Sequence, residues 1–127
     1  MANPRAWHLK SRPTGLPDMD NFELKATAPA ALEEGWIRVR NTWLSVDPYM
    51  RGRMNDVKSY VAPFELGAPL EGGAVGTVIE SQSPDFREGD KVFHMMGWRE
   101  EAAGPADKFN KLYTLIISSS MLKGLRM

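Results

Sequence analysis

The feature that most constrains the fold is a series of short apolar runs separated by glycine and proline. The chain of 127 residues contains 11 glycines and 9 prolines. Within the runs apolar and polar residues alternate, as in Phe22-Glu23-Leu24-Lys25-Ala26. Alternation with a period of two is typical of half-buried β-strands, because successive side chains point to opposite faces of a sheet. The sequence therefore predicts a small, mostly antiparallel β-barrel with short helices.

Strands are predicted at 6–10, 22–27, 35–46, 74–80, 91–96 and 98–103. In the longest of them the apolar parity changes near Asn41, which indicates a β-bulge. Asp47-Pro48 ends this strand and predicts a helical turn over residues 49–54, with Asp47 as its N-cap. Residues 55–69 have no sustained period and predict a long loop. Residues 106–112, and the apolar spacing from Leu112 to Leu125, predict a C-terminal helix.

Composition excludes several classes of protein. A chain that is 43% hydrophobic at this length can bury one core, and no second complete domain fits. Sixteen basic and sixteen acidic residues give a net charge of zero, which disfavours nucleic acid as a partner. There is no cysteine, so disulfides, thiolate metal sites and thiol nucleophiles are excluded. No apolar run reaches the roughly 18 residues of a membrane span, so a cytoplasmic location is expected.

Two groups of residues suggest sites that their context disfavours. Glu71-Gly72-Gly73-Ala74-Val75-Gly76 could cradle a phosphate only if a helix followed, whereas a β-rich run follows. These glycines are therefore interpreted as a strand entry or bulge. His8 and His94 lie in predicted strands without further ligands at metal-binding spacing, so they are interpreted as structural histidines. The four tryptophans, on strands of a neutral chain, are interpreted as core residues rather than stacking platforms.

The run from Ser45 to Met54 is the strongest candidate for a functional site. Tyr49 lies in it between Asp47 and Arg51, and Tyr60 follows in the predicted loop. A phenol can donate a hydrogen bond to a carbonyl or a proton to an enolate, so both tyrosines are candidates to line a cleft. The alternative is that Tyr49 is a packed residue with a hydrated hydroxyl, and chemistry alone favours neither.

Leu44 to Arg51 resembles, without a gap, the Leu-Ser-(Val/Leu)-Asp-Pro-Tyr-Met-Arg hallmark of the zinc-independent medium-chain reductases. The similarity is to the branch with prostaglandin reductases, leukotriene B4 12-hydroxydehydrogenase and curcumin reductase. It extends over about residues 5 to 112 and includes Ser11-Arg12-Pro13, Asn21 to Leu24, Tyr60, Gly72-Gly73, Val78 to Ser81, Gly89 to Val92 and Gly97-Trp98.

The resemblance implies a GroES-like, partly open antiparallel barrel at residues 1–112, joined in the whole family to a Rossmann domain that holds NADPH. The implied reaction reduces a carbon–carbon double bond conjugated to a carbonyl, with no metal. Tyr49 would act as the catalytic donor, while Tyr60 and Met50 would contact the substrate. Asp47 and Arg51 would hold the turn in place. The cofactor-binding residues are not in this chain.

The match weakens at residues 113–127, which form a divergent or truncated tail leading toward the Rossmann domain. The apolar face predicted for this tail favours self-association. A GroES-like fold hosts several functions, so the isolated chain could also be a non-catalytic binding or interaction module. Little activity is expected of the chain alone, because hydride transfer requires a nicotinamide about 3–3.5 Å from the reacting carbon.

Overall fold

A computed structural model describes residues 3–57 and 61–112, together with the backbone of residues 125–126. Within that part the chain forms one short helix, α1, at Tyr49–Arg53, and two 3₁₀ turns at Met19–Asn21 and Ala106–Lys108. The strands are β1 Arg5–Leu9, β2 Phe22–Ala26, β3 Trp36–Leu44, β4 Ala74–Ser81, β5 Lys91–His94, β6 Glu101–Pro105, β7 Asn110–Leu112 and β8 Leu125–Arg126.

The main sheet is antiparallel, with strand order β6-β3-β4-β5-β7, and β8 pairs with the end of β3. β1 and β2 form a separate antiparallel pair. Backbone hydrogen bonds connect this pair to the segments beside it: the Trp7 N–H donates to the Trp98 carbonyl at 2.8 Å, and the Leu70 N–H donates to the Trp7 carbonyl at 2.9 Å. The described strands do not close into a barrel, so the prediction of a mostly β, partly open antiparallel fold with short helices is confirmed.

The predicted irregularity of β3 is present. Its register with β4 shifts between Asn41 and Trp43, and again between Arg38 and Val39. As a result the buried parity of Ile37, Val39 and Asn41 is followed by burial of Leu44. A residue inserted into one strand of a pair changes which face its neighbours occupy, which is what the sequence pattern predicted.

The glycines that follow Glu71 serve strand pairing, as predicted. The Gly72 N–H donates to the Met95 carbonyl at 2.9 Å, and β4 begins two residues later. Gly76 is the most constrained: a Cβ on it would lie 2.4 Å from the Arg40 carbonyl oxygen and 2.6 Å from Val39 Cγ1. Only a residue without a side chain allows β3 and β4 to approach this closely.

Two groups of buried residues form the core. One lies on the main sheet and consists of Ile37, Val39, Val78, Val92 and Phe109. The other lies beneath α1 and the β1–β2 pair and consists of Leu9, Met50, Met54, Phe64 and Leu70. We call this second group the α1 cluster.

A buried polar contact joins the main sheet to the segment after β5. The Asn41 side-chain amide donates to the carbonyls of Met96 at 3.1 Å and Arg99 at 2.9 Å. Its oxygen therefore faces His94 Nε2, 2.6 Å away, and must accept from that nitrogen. The other ring nitrogen accepts from the Met96 N–H at 2.9 Å. His94 is thus held as the neutral Nε2–H tautomer, consistent with the structural role predicted for it.

Three sequence predictions are wrong in detail. Asp47 is not the N-cap of α1; Pro48 is, because the Asp47 carboxylate accepts from Ser45 Oγ instead. The strand predicted at 98–103 occupies Glu101–Pro105, since Trp98 takes a backbone conformation that a strand cannot contain. The helix predicted from residue 106 is a 3₁₀ turn followed by β7, and Leu125–Arg126 is a strand.

Residues 113–124 of the predicted tail lie outside the described residues. No helix in the described part of the chain is long and apolar enough to cross a membrane.

Replacing Gly76 by alanine is expected to destabilise the fold by about 3 kcal/mol or more, since the methyl group would overlap backbone that cannot move without breaking the β3–β4 pairing. Gly52 is the matched control, because a Cβ there meets nothing within 4 Å and helical alanine is favoured over glycine by about 0.5–1 kcal/mol. Urea unfolding of both variants measures the difference. A Gly76→Ala variant as stable as the wild type would contradict the described pairing.

Stability is expected to fall on acidification through His94. Burial, and secondarily the charge of Arg99, lower the pKa of His94 from 6.5 to about 4. As the pH falls, the unfolded chain therefore binds this proton before the folded chain does. The contribution of His94 to the free energy of unfolding is complete above pH 6.5 and is lost between pH 6.5 and about 4. The slope is at most about 1.4 kcal/mol per pH unit. An NMR titration of the His94 ring combined with urea unfolding measures both; titration of that ring with an ordinary histidine pKa would refute the prediction.

Candidate functional site

The structure places a largely apolar cavity of about 440 Å³ over the α1 cluster. Its walls come from the β1–β2 pair, the segment from residue 46 into α1, and the segment after β5. Residues that line it are Trp7, Met19, Phe22, Val46, Asp47, Pro48, Met50, Arg51, Met54, Leu70 and Trp98. The volume lies within the roughly 300–1,000 Å³ range of small-molecule pockets, and three methionines give the wall adaptable surfaces.

Helix α1 divides its side chains between the cavity and solvent. Met50 is 3% exposed and Met54 is 8% exposed, and both contribute to the cavity wall. This follows from helical geometry, since residues four apart lie on one face. Tyr49 is on another face and is 47% exposed, beside the cavity-lining residues Pro48 and Met50. Its side chain is therefore not sealed in the core, and Tyr49 lies next to the cavity without being one of the residues that line it.

Asp47 is held at the start of α1 by two local contacts. Its carboxylate Oδ2 accepts from Ser45 Oγ at 2.8 Å, and its backbone carbonyl accepts from the Met50 N–H at 3.1 Å. The Ser45 N–H in turn donates to the Gly73 carbonyl at 2.8 Å. The beginning of α1 is thereby attached to the segment that enters β4.

Arg51 connects α1 to the segment before β2. Its guanidinium donates to the carbonyls of Pro13 at 3.1 Å and Gly15 at 3.0 Å, and to Asn55 Oδ1 at 2.8 Å. The three acceptors lie in different directions, which suits the planar fork of arginine better than the single ammonium of lysine. Arg51 thus holds against α1 the segment that leads to Met19, one of the cavity residues.

Trp98 forms a further wall of the cavity. Its carbonyl accepts from the Trp7 N–H, and its ring packs on the α1 cluster together with Trp7 and Phe22. The neighbouring Arg99 is partly buried and donates to the Gly97 and Leu70 carbonyls at 3.0 and 2.9 Å. Burial lowers the pKa of Arg99, an effect that the charge of Glu71 opposes. Arg99 therefore stabilises the wall through these hydrogen bonds and is not one of the residues that line the cavity.

The structure brings four of the residues singled out by sequence close together: Asp47, Tyr49, Met50 and Arg51 lie on or immediately before α1. Tyr60 lies outside the described residues. Sequence reasoning missed most of the remaining wall, including Trp7, Met19, Leu70 and Trp98. Trp7 and Trp98 were interpreted as core, and both are only partly buried because one side of each ring faces the cavity.

Metal-binding side chains do not converge at this cavity. Within residues 3–57 and 61–112, no group of three or more histidine, cysteine, aspartate or glutamate side chains is arranged to hold an ion. His8, the second histidine, lies in β1 with Nδ1 3.0 Å from the Ala6 carbonyl oxygen.

Known proteins share this sequence and fold. The chain is 43% identical over 108 residues to the NADPH-dependent curcumin reductase of Escherichia coli (strain K12). The matched region covers 85% of this chain and 31% of that protein. It is 43% identical over 96 residues to the NADP(+)-dependent 2-alkenal reductase of Nicotiana tabacum, covering 72% of this chain and 28% of that protein. The chain therefore spans about a third of the length of these curated relatives.

A solved structure agrees with this similarity. CurA from Vibrio vulnificus superimposes with a TM-score of 0.80 at 36% identity, over 87% of this chain and 32% of that one. A model of the family described as the N-terminal domain of oxidoreductase matches residues 5–112, which include β1 to β7 and α1. The resemblance seen in the sequence is confirmed, and the chain belongs to this family of oxidoreductase N-terminal domains.

Proposed function

We propose that the chain is the substrate-side domain of an NADPH-dependent reductase acting on the carbon–carbon double bond of α,β-unsaturated ketones and aldehydes. The observation that carries the proposal is the apolar cavity beside Tyr49, which is lined in part by residues of the family hallmark that lead into helix α1. The domain would comprise residues 1–112, and residues 113–127 would lead toward the cofactor domain. A cytoplasmic location and independence of zinc complete the proposal, the latter supported by a chain without cysteine.

The cavity suits the apolar part of such a substrate. Its wall is made of thioether, aromatic and aliphatic side chains, and its charged residues have partners nearby: Asp47 accepts from Ser45, and Arg51 donates to three oxygens. An enone has an apolar body and one strong acceptor, its carbonyl oxygen. With the body over Met50, the carbonyl would lie toward the mouth, where Tyr49 is exposed.

Reduction of an enone places negative charge on this carbonyl oxygen. The β-carbon gains a hydride, the π electrons move to the oxygen as an enolate, and the α-carbon then gains a proton. A phenol that donates a hydrogen bond to the oxygen lowers the barrier, because the bond strengthens as the charge develops. We assign this role to Tyr49. Met50 would contact the apolar body, Tyr60 would shape the pocket, and Asp47 and Arg51 would hold α1 in position.

The nucleotide would be held elsewhere. Binding of a dinucleotide phosphate requires a glycine-rich turn that opens a helix, and in the described residues the glycines after Glu71 enter strand β4 instead. The described residues therefore do not fit the cofactor on their own, in keeping with their covering 31% of the E. coli reductase. NADPH, bound by a separate domain, would supply the hydride.

Replacing Tyr49 by phenylalanine is expected to lower kcat by about 100-fold with little change in KM, since the lost hydrogen bond acts on the developing enolate. The measurement is NADPH oxidation with a 2-alkenal, by a fusion of this chain to the cofactor domain of the E. coli relative. The parallel variant is Tyr60→Phe, for which a pocket-shaping role predicts a rise in KM with kcat largely retained.

Two results would contradict the proposal. Full activity of the Tyr49→Phe fusion would remove Tyr49 from the reaction. A folded fusion that binds NADPH but reduces no enone would favour a binding module over a reductase domain.

Replacing Arg51 by lysine is expected to destabilise the domain by about 1–2 kcal/mol, because an ammonium cannot reach the Pro13, Gly15 and Asn55 oxygens together. Arg40→Lys is the control, since this exposed arginine contacts Glu101 only at 3.5 Å and such pairs contribute little. Urea unfolding compares them; equal stability of the two variants would show that Arg51 does not support α1.

A further inference from the structure

Trp98 has two features that the packing of the fold does not explain. Its backbone φ is +60°, in the left-handed region that residues other than glycine rarely adopt. Its indole Nε1 is buried without a hydrogen-bond partner, and among the described residues no other buried side-chain nitrogen or oxygen is in this state. Both features oppose folding, and such costs are concentrated at functional sites.

The indole N–H borders a small gap beside Gly72. A Cβ placed on Gly72 would lie 3.4 Å from Trp98 Nε1, 3.6 Å from Trp98 Cδ1 and 3.6 Å from Met50 Cε. The gap is therefore bounded by the polar edge of the indole and the end of a thioether side chain. Trp98 and Met50 both line the cavity whereas Gly72 does not, so the gap lies within the wall, behind these two side chains.

The backbone around this gap has hydrogen bonds of its own. The Gly72 N–H donates to the Met95 carbonyl, and the Gly72 carbonyl accepts from the Gly97 N–H, both at 2.9 Å. The indole N–H is thus a hydrogen-bond donor without an acceptor, and the wall beside it is otherwise apolar. Met50 is unbranched and flexible, and its terminal methyl can move aside for a ligand atom.

We infer that Trp98 Nε1–H donates a hydrogen bond to an acceptor on the apolar end of the substrate, remote from the enone carbonyl. The inference rests on the proposed function, because that function places the apolar body in the cavity. Tyr49 is exposed on α1, whereas the gap lies behind the buried Met50. A substrate with two separated acceptors therefore meets one donor at each end. Trp98 makes the cavity selective for enones whose apolar end carries an oxygen or nitrogen acceptor.

The test compares benzylideneacetone with its 4-pyridyl analogue, which has the same shape and one additional acceptor. Binding to the ¹⁵N-labelled 127-residue chain is followed by NMR, in buffer basic enough to keep the pyridine nitrogen unprotonated. The indole N–H signal that disappears in Trp98→Phe identifies Trp98. The pyridyl ketone is expected to move this signal downfield well beyond the shift caused by benzylideneacetone.

Two variants make the comparison quantitative. Trp98→Phe removes the donor, and Gly72→Ala leaves it in place but fills the gap with a methyl group at ordinary contact distances. In each variant the affinity for the pyridyl ketone relative to that for benzylideneacetone is expected to fall about three- to ten-fold, the range of one neutral hydrogen bond. Because Gly72→Ala retains the indole, a folding defect in Trp98→Phe does not remove the test.

The failures of the two proposals are distinguishable. If both ketones bind and shift the indole signal equally, or if the affinity ratio is unchanged in both variants, the role of Trp98 is overturned and the reductase proposal stands. If neither ketone binds the chain, the inference and the assignment of the cavity to the substrate fail together.

Discussion

The last residues of β3, from Asn41 onward, position two of the walls of the cavity. Asn41 keeps the buried parity of Ile37 and Val39 up to the register shift, its side-chain amide donates to the carbonyls of Met96 and Arg99, and its side-chain oxygen accepts from His94. These contacts set the path of the segment that carries Trp98. Beyond the shift, β3 continues through Leu44 to the turn that starts α1. The end of β3 therefore positions both the segment that carries Trp98, through the Asn41 side chain, and the turn that starts α1.

The orientation of helix α1 depends on its packing against the rest of the domain. With only five residues it cannot be stable alone, and it is held by the contacts of Arg51 and by the burial of Met50 and Met54. Burial of Met50 determines the rotation of the helix, and that rotation leaves Tyr49 exposed to solvent next to the cavity-lining residues Pro48 and Met50. In the function that we propose, Met50 contacts the apolar body of the substrate and the adjacent Tyr49 donates to its carbonyl. Under that proposal, consecutive residues of the hallmark meet a packing requirement and a chemical one.

Much of the fold follows from residue patterns that act locally. Alternation predicted β1 and β2, and β-rich runs predicted β4 and β5, each to within about two residues at each end; the parity change near Asn41 predicted the bulge. The errors came where the residue type alone does not decide the local structure. Aspartate is a residue type that is favoured at N-caps, yet the Asp47 carboxylate accepts a hydrogen bond from Ser45 Oγ and does not cap the helix. The start of β6 is delayed because Trp98 adopts a positive φ that no local pattern signals.

The candidate site also has one part that a local sequence motif identifies and another part that it does not. Asp47, Tyr49, Met50 and Arg51 are contiguous, so a motif could identify them together. The rest of the wall comes from residues far apart in the chain, such as Trp7, Leu70 and Trp98, whose proximity depends on pairing between segments. The sequence around a tryptophan on a strand has the same pattern whether the exposed side of the ring faces water or a cavity. Only the three-dimensional arrangement distinguishes the two.

The most direct test of this account is to locate a bound enone through the methionine methyl groups. In a chain with ¹³C-methyl-labelled methionine, nuclear Overhauser effects from the phenyl ring of benzylideneacetone are expected at Met50 and Met54, which line the cavity. Effects from its ketone methyl are expected at the Tyr49 ring. Contacts with the exposed Met95 in place of Met50 and Met54 would contradict the account, since they would place the ligand outside the cavity.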